Sequence, residues 1–229
     1  MELTPLQEAA KKGELETVKT LVEEGHQIDK TAKNGVTALI LAAAENHLDV
    51  VKFLLKKGAD PNKSTTMGGT ALNRAAENGN MEMLDLLIEK DAMIGDVALI
   101  VAGREGHKDI VQRLIDEGAD VNSQTRWGQT ALMQAAREGH SRVVKLLIDN
   151  GANVKIRDKN GESALSIALD NDHQDVANQL RRVGATAVSK KKPTAVEEDD
   201  EDPDERTAED FEELIDEEDL PDDLDIDDD

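Results

Sequence analysis

The side chains in this 229-residue sequence best suited to metal binding or proton transfer are its five histidines. Four of them, His47, His107, His140 and His173, share one setting: AENHLDV, REGHKDI, REGHSRV and DNDHQDV. A zinc-type centre needs such imidazoles gathered around one point, and general acid–base work needs one beside a reacting group in a cleft. Residues that recur at one place in successive units form a row instead. Their expected role is structural, as polar turn residues bonded to nearby backbone. His26 stands outside the pattern and receives no role. Carboxylate pairs abound, but on solvated helix faces where nothing raises a pKa. The absence of Cys excludes disulfides, thiolate ligands and thiol nucleophiles. GxxxxGK[ST], GxSxG and HExxH are all missing. The sequence predicts no catalytic residue, no metal and no cofactor, and hence a protein that is not an enzyme.

Composition points to how the chain is built. Aromatic residues make up 1% of it, with two Phe, one Trp and no Tyr, so Ala, Leu, Ile and Val must form the core. Small side chains of this kind suit closely stacked helices better than a sheet. No apolar run approaches the roughly 18 residues of a membrane span, and the N-terminus lacks a secretory pattern. A cytoplasmic monomer is expected. The net charge of −23 disfavours nucleic acid and anionic membranes as partners. Residues 193–229 hold 22 acids and one base, Arg206, while residues 1–192 hold 28 acids and 26 bases. A nearly neutral body carries a separate acidic tail.

The body repeats. TPLQEAA at Thr4 returns as TALILAA at Thr37, TALNRAA at Thr70, VALIVAG at Val97, TALMQAA at Thr130 and SALSIAL at Ser163. The spacings are 33, 33, 27, 33 and 33 residues. In each unit Thr or Ser reads as an N-cap, and Leu with the following Ala pair at i, i+3 and i+4 makes a narrow apolar face. A turn such as Asn78-Gly79-Asn80 ends this helix after about two turns. A second helix follows, as in DVVKFLLKKGAD from Asp49, KDIVQRLIDEGAD from Lys108 and SRVVKLLIDNGAN from Ser141. Gly58, Gly118 and Gly151 end those helices, and turns at Asn34-Gly35, Trp127-Gly128 and Asn160-Gly161 lead onward.

The shared pattern T-[PA]-L-x-x-A-A-x-x-G-H-x-x-[IV]-V-x-x-L-[LI]-x-x-G-A-[DN] resembles the ankyrin repeat over residues 4–185. The resemblance implies an all-α solenoid of stacked antiparallel helix pairs with turn or β-hairpin fingers projecting to one side, used to bind proteins. The units fall near 4–36, 37–69, 70–96 (shortened), 97–129, 130–162 and 163–185. Polar outer faces on the first and last units lead to the expectation that the six make a complete domain. Two departures stand out. The family's usual His after the first Leu is replaced by Gln7, Ile40, Asn73, Ile100, Met133 and Ser166, so apolar packing or other polar contacts must substitute. Six residues are also missing between Thr70 and Val97. The connector DAMIGD is too short for a full finger, with Asp96 a candidate N-cap. It reads either as a tolerated deletion or as a notch that exposes Ile100 and Val101.

The resemblance implies a binding face made of finger tips and of the residues after the Ala pair. The expected partner contacts are Lys33, Asn34, Met67, Ile100, Val101, Arg104, Arg126, Trp127, Arg137 and Lys159. Trp127 is the strongest, because Trp and Arg are enriched among interface hot spots and no core role calls for it. The alternative is a Trp folded onto its own finger. The tail from 186 to 229 is expected to be disordered alone, with a short helix over 209–220. There Phe211, Leu214 and Ile215 lie at i, i+3 and i+4 and Leu220 precedes Pro221. It reads as a segment that folds against a basic protein or mimics nucleic acid, as an autoinhibitor of the repeats, or as a solubilising tail.

Overall fold

A computed structural model describes residues 3–186. The acidic segment, with Phe211, Leu214, Ile215 and Leu220, lies outside the described residues.

Six helix pairs follow one another: α1 (Pro5–Lys12) with α2 (Leu15–Glu23), α3 (Ala38–Ala44) with α4 (Leu48–Lys56), and α5 (Ala71–Glu77) with α6 (Met81–Glu89). Next come α7 (Asp96–Glu105) with α8 (Lys108–Asp116), α9 (Ala131–Arg137) with α10 (Ser141–Asp149), and α11 (Ala164–Asp170) with α12 (Gln174–Arg182). Helices this short are marginal in isolation, so packing must supply their stability. The odd-numbered helices pack in series from α1 to α11, and the even-numbered ones form a second row beside them. The anchors Leu6, Leu39, Leu72, Leu99, Leu132 and Leu165 are each no more than 2% exposed. One continuous apolar cluster runs through all six units.

The caps explain where the helices start. Thr4, Thr37, Thr70, Thr130 and Ser163 hold extended backbone angles, and their hydroxyls accept from the N–H three residues on. Helix α7 has no such residue. Asp96, expected to be its N-cap, is instead its first helical residue; Gly95 holds the cap position and no side chain caps it. With the finger deleted, the chain enters the helix two residues earlier than its counterparts, and an aspartate in the first turn complements the helix dipole. Even-numbered helices such as α4 end where Gly58 adopts φ +89° and the Ala59 N–H reaches back to the Leu54 carbonyl.

The histidines join the units. His47, His107, His140 and His173 place Nε2 at 2.8–3.0 Å from the carbonyls of Lys11, Glu77, Arg104 and Arg137, each in the preceding unit. Each ring lies against a left-handed glycine there. A Cβ on Gly13, Gly79, Gly106 or Gly139 would come within 2.5–2.7 Å of imidazole atoms. The second unit has Asn46 at that place, also left-handed at φ 63°. Its partner in the third unit is Asn80, whose Nδ2 donates to Asn46 Oδ1 at 2.6 Å. A smaller side chain thus stands opposite the one non-glycine residue that a following unit faces; Asp172, at the same place in the last unit, has no following unit.

The positions where the family's usual His is absent are filled in two ways. Gln7 donates to the carbonyls of Lys30 (2.8 Å) and Val36 (3.0 Å), Asn73 to that of Gly68 (3.2 Å), and Ser166 to that of Ser163 (2.9 Å). Ile40, Ile100 and Met133 are buried in the apolar cluster.

Candidate interaction surface

Four fingers precede first helices, at residues 32–36, 65–69, 125–129 and 158–162. Each is a turn closed by a bond from its first N–H to its last carbonyl, as from Thr125 to Gln129 at 2.9 Å. Neighbouring fingers are also bonded to each other. The Thr66 N–H donates to the Asn34 carbonyl, and the Lys159 N–H to the Trp127 carbonyl, both at 2.9 Å. The row therefore consists of two bonded pairs separated by the place of the missing finger. The connector there begins like the others: Asn62 donates to the Asp91 carbonyl (3.0 Å) and accepts from the Met93 N–H (2.7 Å), as Asn122 does with Gly151 and Asn153. It then passes straight into α7. No extended ladder forms among the described residues; a single isolated bridge joins Arg157 and Ser163.

Trp127 is 52% exposed, and Arg126 stacks on its ring with Cζ 3.9 Å from the centroid. The pair holds both side chains in place by a cation–π contact while leaving apolar area open. Lys33, Met67, Arg126 and Lys159 are exposed, and Asn34 is half-buried, its Oδ1 accepting from the Val36 N–H (3.3 Å). Arg104 and Arg137 are half-buried at the far ends of α7 and α9. At 1.5 Å rise per residue, that is roughly 10 Å along the helix from its finger end. The expected contact residues thus form two sets, tips and inner helix ends, rather than one patch.

The notch differs from its expected form. Ile100 is 4% exposed and packs in the core, and Val101 is half-buried. In a helix that starts early and remains stacked between α5 and α9, these positions face neighbouring helices. The deletion uncovers Met93 (71% exposed) and Val97 (37%) instead. Sequence reasoning missed both. The available signal was Met93 itself, which replaces the Asp or Asn that follows Gly-Ala in GAD and GAN.

Inner-face charges are organised around Glu77, which bonds Arg74 (2.6 Å) in its own helix and Arg104 (2.8 Å) in the next unit. Asp85 reaches Arg113 at 2.8 Å across the same boundary. The Arg104 guanidinium is raised above its ordinary value, first by its hydrogen bond to Glu105; partial burial lowers it, and the charges of Glu105 and Glu77 raise it further. The described residues contain no metal-ligating cluster, and no described helix is long and apolar enough to cross a membrane.

A family model described as ankyrin repeats (3 copies) matches residues 1–65, 61–125 and 99–191. No curated protein matches. Among solved structures, the human ASB11 ankyrin repeat domain is similar at 26% identity and TM-score 0.71, over 80% of this chain and 85% of that one. A chain in the structure of the predatory endopeptidase Bd0816 from Bdellovibrio bacteriovorus, in complex with immunity protein Bd3460, is similar at 30% identity and TM-score 0.71. That match covers 80% of this chain and 99% of the other. The recurrent caps, the histidine contacts between units, the finger row and the matched family model agree that this chain belongs to the ankyrin repeat family.

Proposed function

We propose that the chain is a non-enzymatic adaptor or scaffold that holds a protein partner across its fingers and inner helix ends. The observation that carries this reading is the half-exposed Trp127 with Arg126 stacked on its ring, on a finger bonded to its neighbour. A preorganised aromatic–guanidinium pair loses little entropy on binding, and side chains of these types dominate interface energetics. The family is in general a protein-binding one, and one of the similar structures is of a peptidase–immunity protein complex. The reading includes a cytoplasmic monomer.

A second reading rests on the 22 acids and one base of residues 193–229. Here that segment regulates, either by engaging a basic protein, by mimicking nucleic acid or by competing for the repeats' own cations. Affinity capture from a cell extract with the intact chain, Trp127→Ala and a deletion of 193–229 tests both. Trp127→Ala is expected to lose partners held by the fingers while keeping unfolding stability within about 0.5 kcal/mol of the parent. Deletion that abolishes capture in a salt-dependent way favours the acidic segment as the binding element, and tighter capture favours autoinhibition. The same partners recovered by all three proteins would refute both contact sites.

A further inference from the structure

The gap in the finger row presents unused bonding groups that match one another. In each bonded finger pair, the second residue of one finger donates its N–H to the third carbonyl of the finger before it. By that register the missing finger would have donated to the Met67 carbonyl and accepted from the Arg126 N–H. Neither group has a hydrogen-bond partner among the described residues. The glycines report the same vacancy. A Cβ on Gly35 would meet Thr65 Cα at 3.1 Å and one on Gly128 would meet Asp158 Cα at 3.1 Å, because a finger lies against each. A Cβ on Gly68, which faces the gap, meets nothing within 4 Å.

The slot is also where the surface is apolar. Met67 (79% exposed) and Trp127 (52%) belong to its two walls, and Met93 (71%) and Val97 (37%) to the connector between them. These are four of the five large apolar side chains exposed among the described residues. With helix rows spaced about 8–10 Å apart, the flanking fingers stand roughly two such steps apart. In the hydrogen-bond direction, where a single strand takes about 4.8 Å, that separation leaves room for the two arms of a turn like the missing finger. Charge sets its polarity. Arg126 at the outer level has no carboxylate partner among the described residues and Lys159 lies on the finger behind it, whereas Asp96 is exposed at the base.

We propose that the slot is a docking site for a turn-forming segment of another protein, which takes the place of the missing finger. Its backbone donates to the Met67 carbonyl and accepts from the Arg126 N–H, a large apolar side chain rests among Met93, Val97 and Trp127, and a carboxylate at its outer end meets Arg126. The edge groups supply affinity and the apolar floor selects the side chain. This site rests on the protein-binding reading above and specifies its partner's chemistry.

The deciding variant fills the slot. Replacing residues 93–97 with a copy of residues 120–130 restores the six missing residues and, within the inner helices, changes only the first two residues of α7. The probe is a displayed library of random twelve-residue peptides selected on the intact chain, followed by synthetic copies of the enriched sequences. Enriched peptides are expected to carry a large apolar residue near an acidic one, to slow hydrogen exchange at the Arg126 amide, and to bind the slot-filled variant at least tenfold more weakly. Equal binding by the slot-filled variant, with contacts mapping to Arg104 and Arg137, overturns the slot while the protein-binding reading stands. No enrichment at all overturns both. A concentration-dependent dimer that the slot-filled variant cannot form assigns the slot to a second copy, and an Arg126 amide already protected until 193–229 is deleted assigns it to the chain's own C-terminal segment; either result overturns the partner assignment.

Discussion

At the scale of single residues, the unit-to-unit contact is a choice between two compatible pairs. An imidazole fits over glycine at Gly13, Gly79, Gly106 and Gly139, and Asn80 fits over Asn46. Mixing the pairs should be costly, because the Cβ of Asn46 stands where the ring would lie. Asn80→His is expected to destabilise the chain by about 1–3 kcal/mol through overpacking. Adding Asn46→Gly should recover most of that loss by vacating the space and relieving a left-handed non-glycine residue. Urea unfolding of the four proteins in this cycle measures the coupling. An additive result, with no interaction energy in the usual range of about 0.5–3 kcal/mol, contradicts the pairing.

At the scale of elements, the third and fourth units meet without finger-to-finger bonds, and other contacts join them. Two ion pairs cross that boundary, Glu77 with Arg104 and Asp85 with Arg113, beside the His107 bond to the Glu77 carbonyl. Both pairs are solvent-accessible and should weaken in salt, and the Glu77–Arg104 pair should contribute at most about 1 kcal/mol. Arg104→Gln is expected to lower stability by about that amount in dilute buffer and by much less in 1 M NaCl. The pH dependence follows from sign. A folded-state value raised above the unfolded one contributes stability at all pH below the unfolded value, and loses it only as pH climbs through the raised value. For Arg104 that window lies in strong alkali. The cost of Arg104→Gln should accordingly be the same at pH 6 and pH 9, as chemical unfolding at the two pH values would show.

For the molecule as a whole, a linear stack makes stability a sum of units and their interfaces, so one incomplete interface is felt locally and repaired locally. Filling the slot with a copied finger gives the Met67 carbonyl and the Arg126 N–H partners at about 0.5–1.5 kcal/mol each, opposed by the slowly growing entropy of a longer loop. A rise of a few degrees in the thermal midpoint is expected for a chain of this length. Calorimetry on the variant checks it, and a lower midpoint would mean that the shortened connector is the better-packed arrangement. The same linearity keeps the four histidines in a row, each occupied by backbone of the unit before, where they cannot share an ion.

Much of this architecture was legible from residue order alone. The 33-residue period, the Thr and Ser caps, the Leu–Ala-Ala faces and the glycine stops each act within a few residues, and local chemistry needs no partner to be read. Tertiary packing decided the rest. That His47 bonds to the Lys11 carbonyl 36 residues away, or that Asn80 answers Asn46, depends on how units stack. The six-residue deletion shows the limit best. It was visible as a spacing, but a short connector can either keep its cap and uncover the helix or extend the helix and uncover itself. The packing of α7 between α5 and α9 selected the second, burying Ile100 and leaving Met93 exposed.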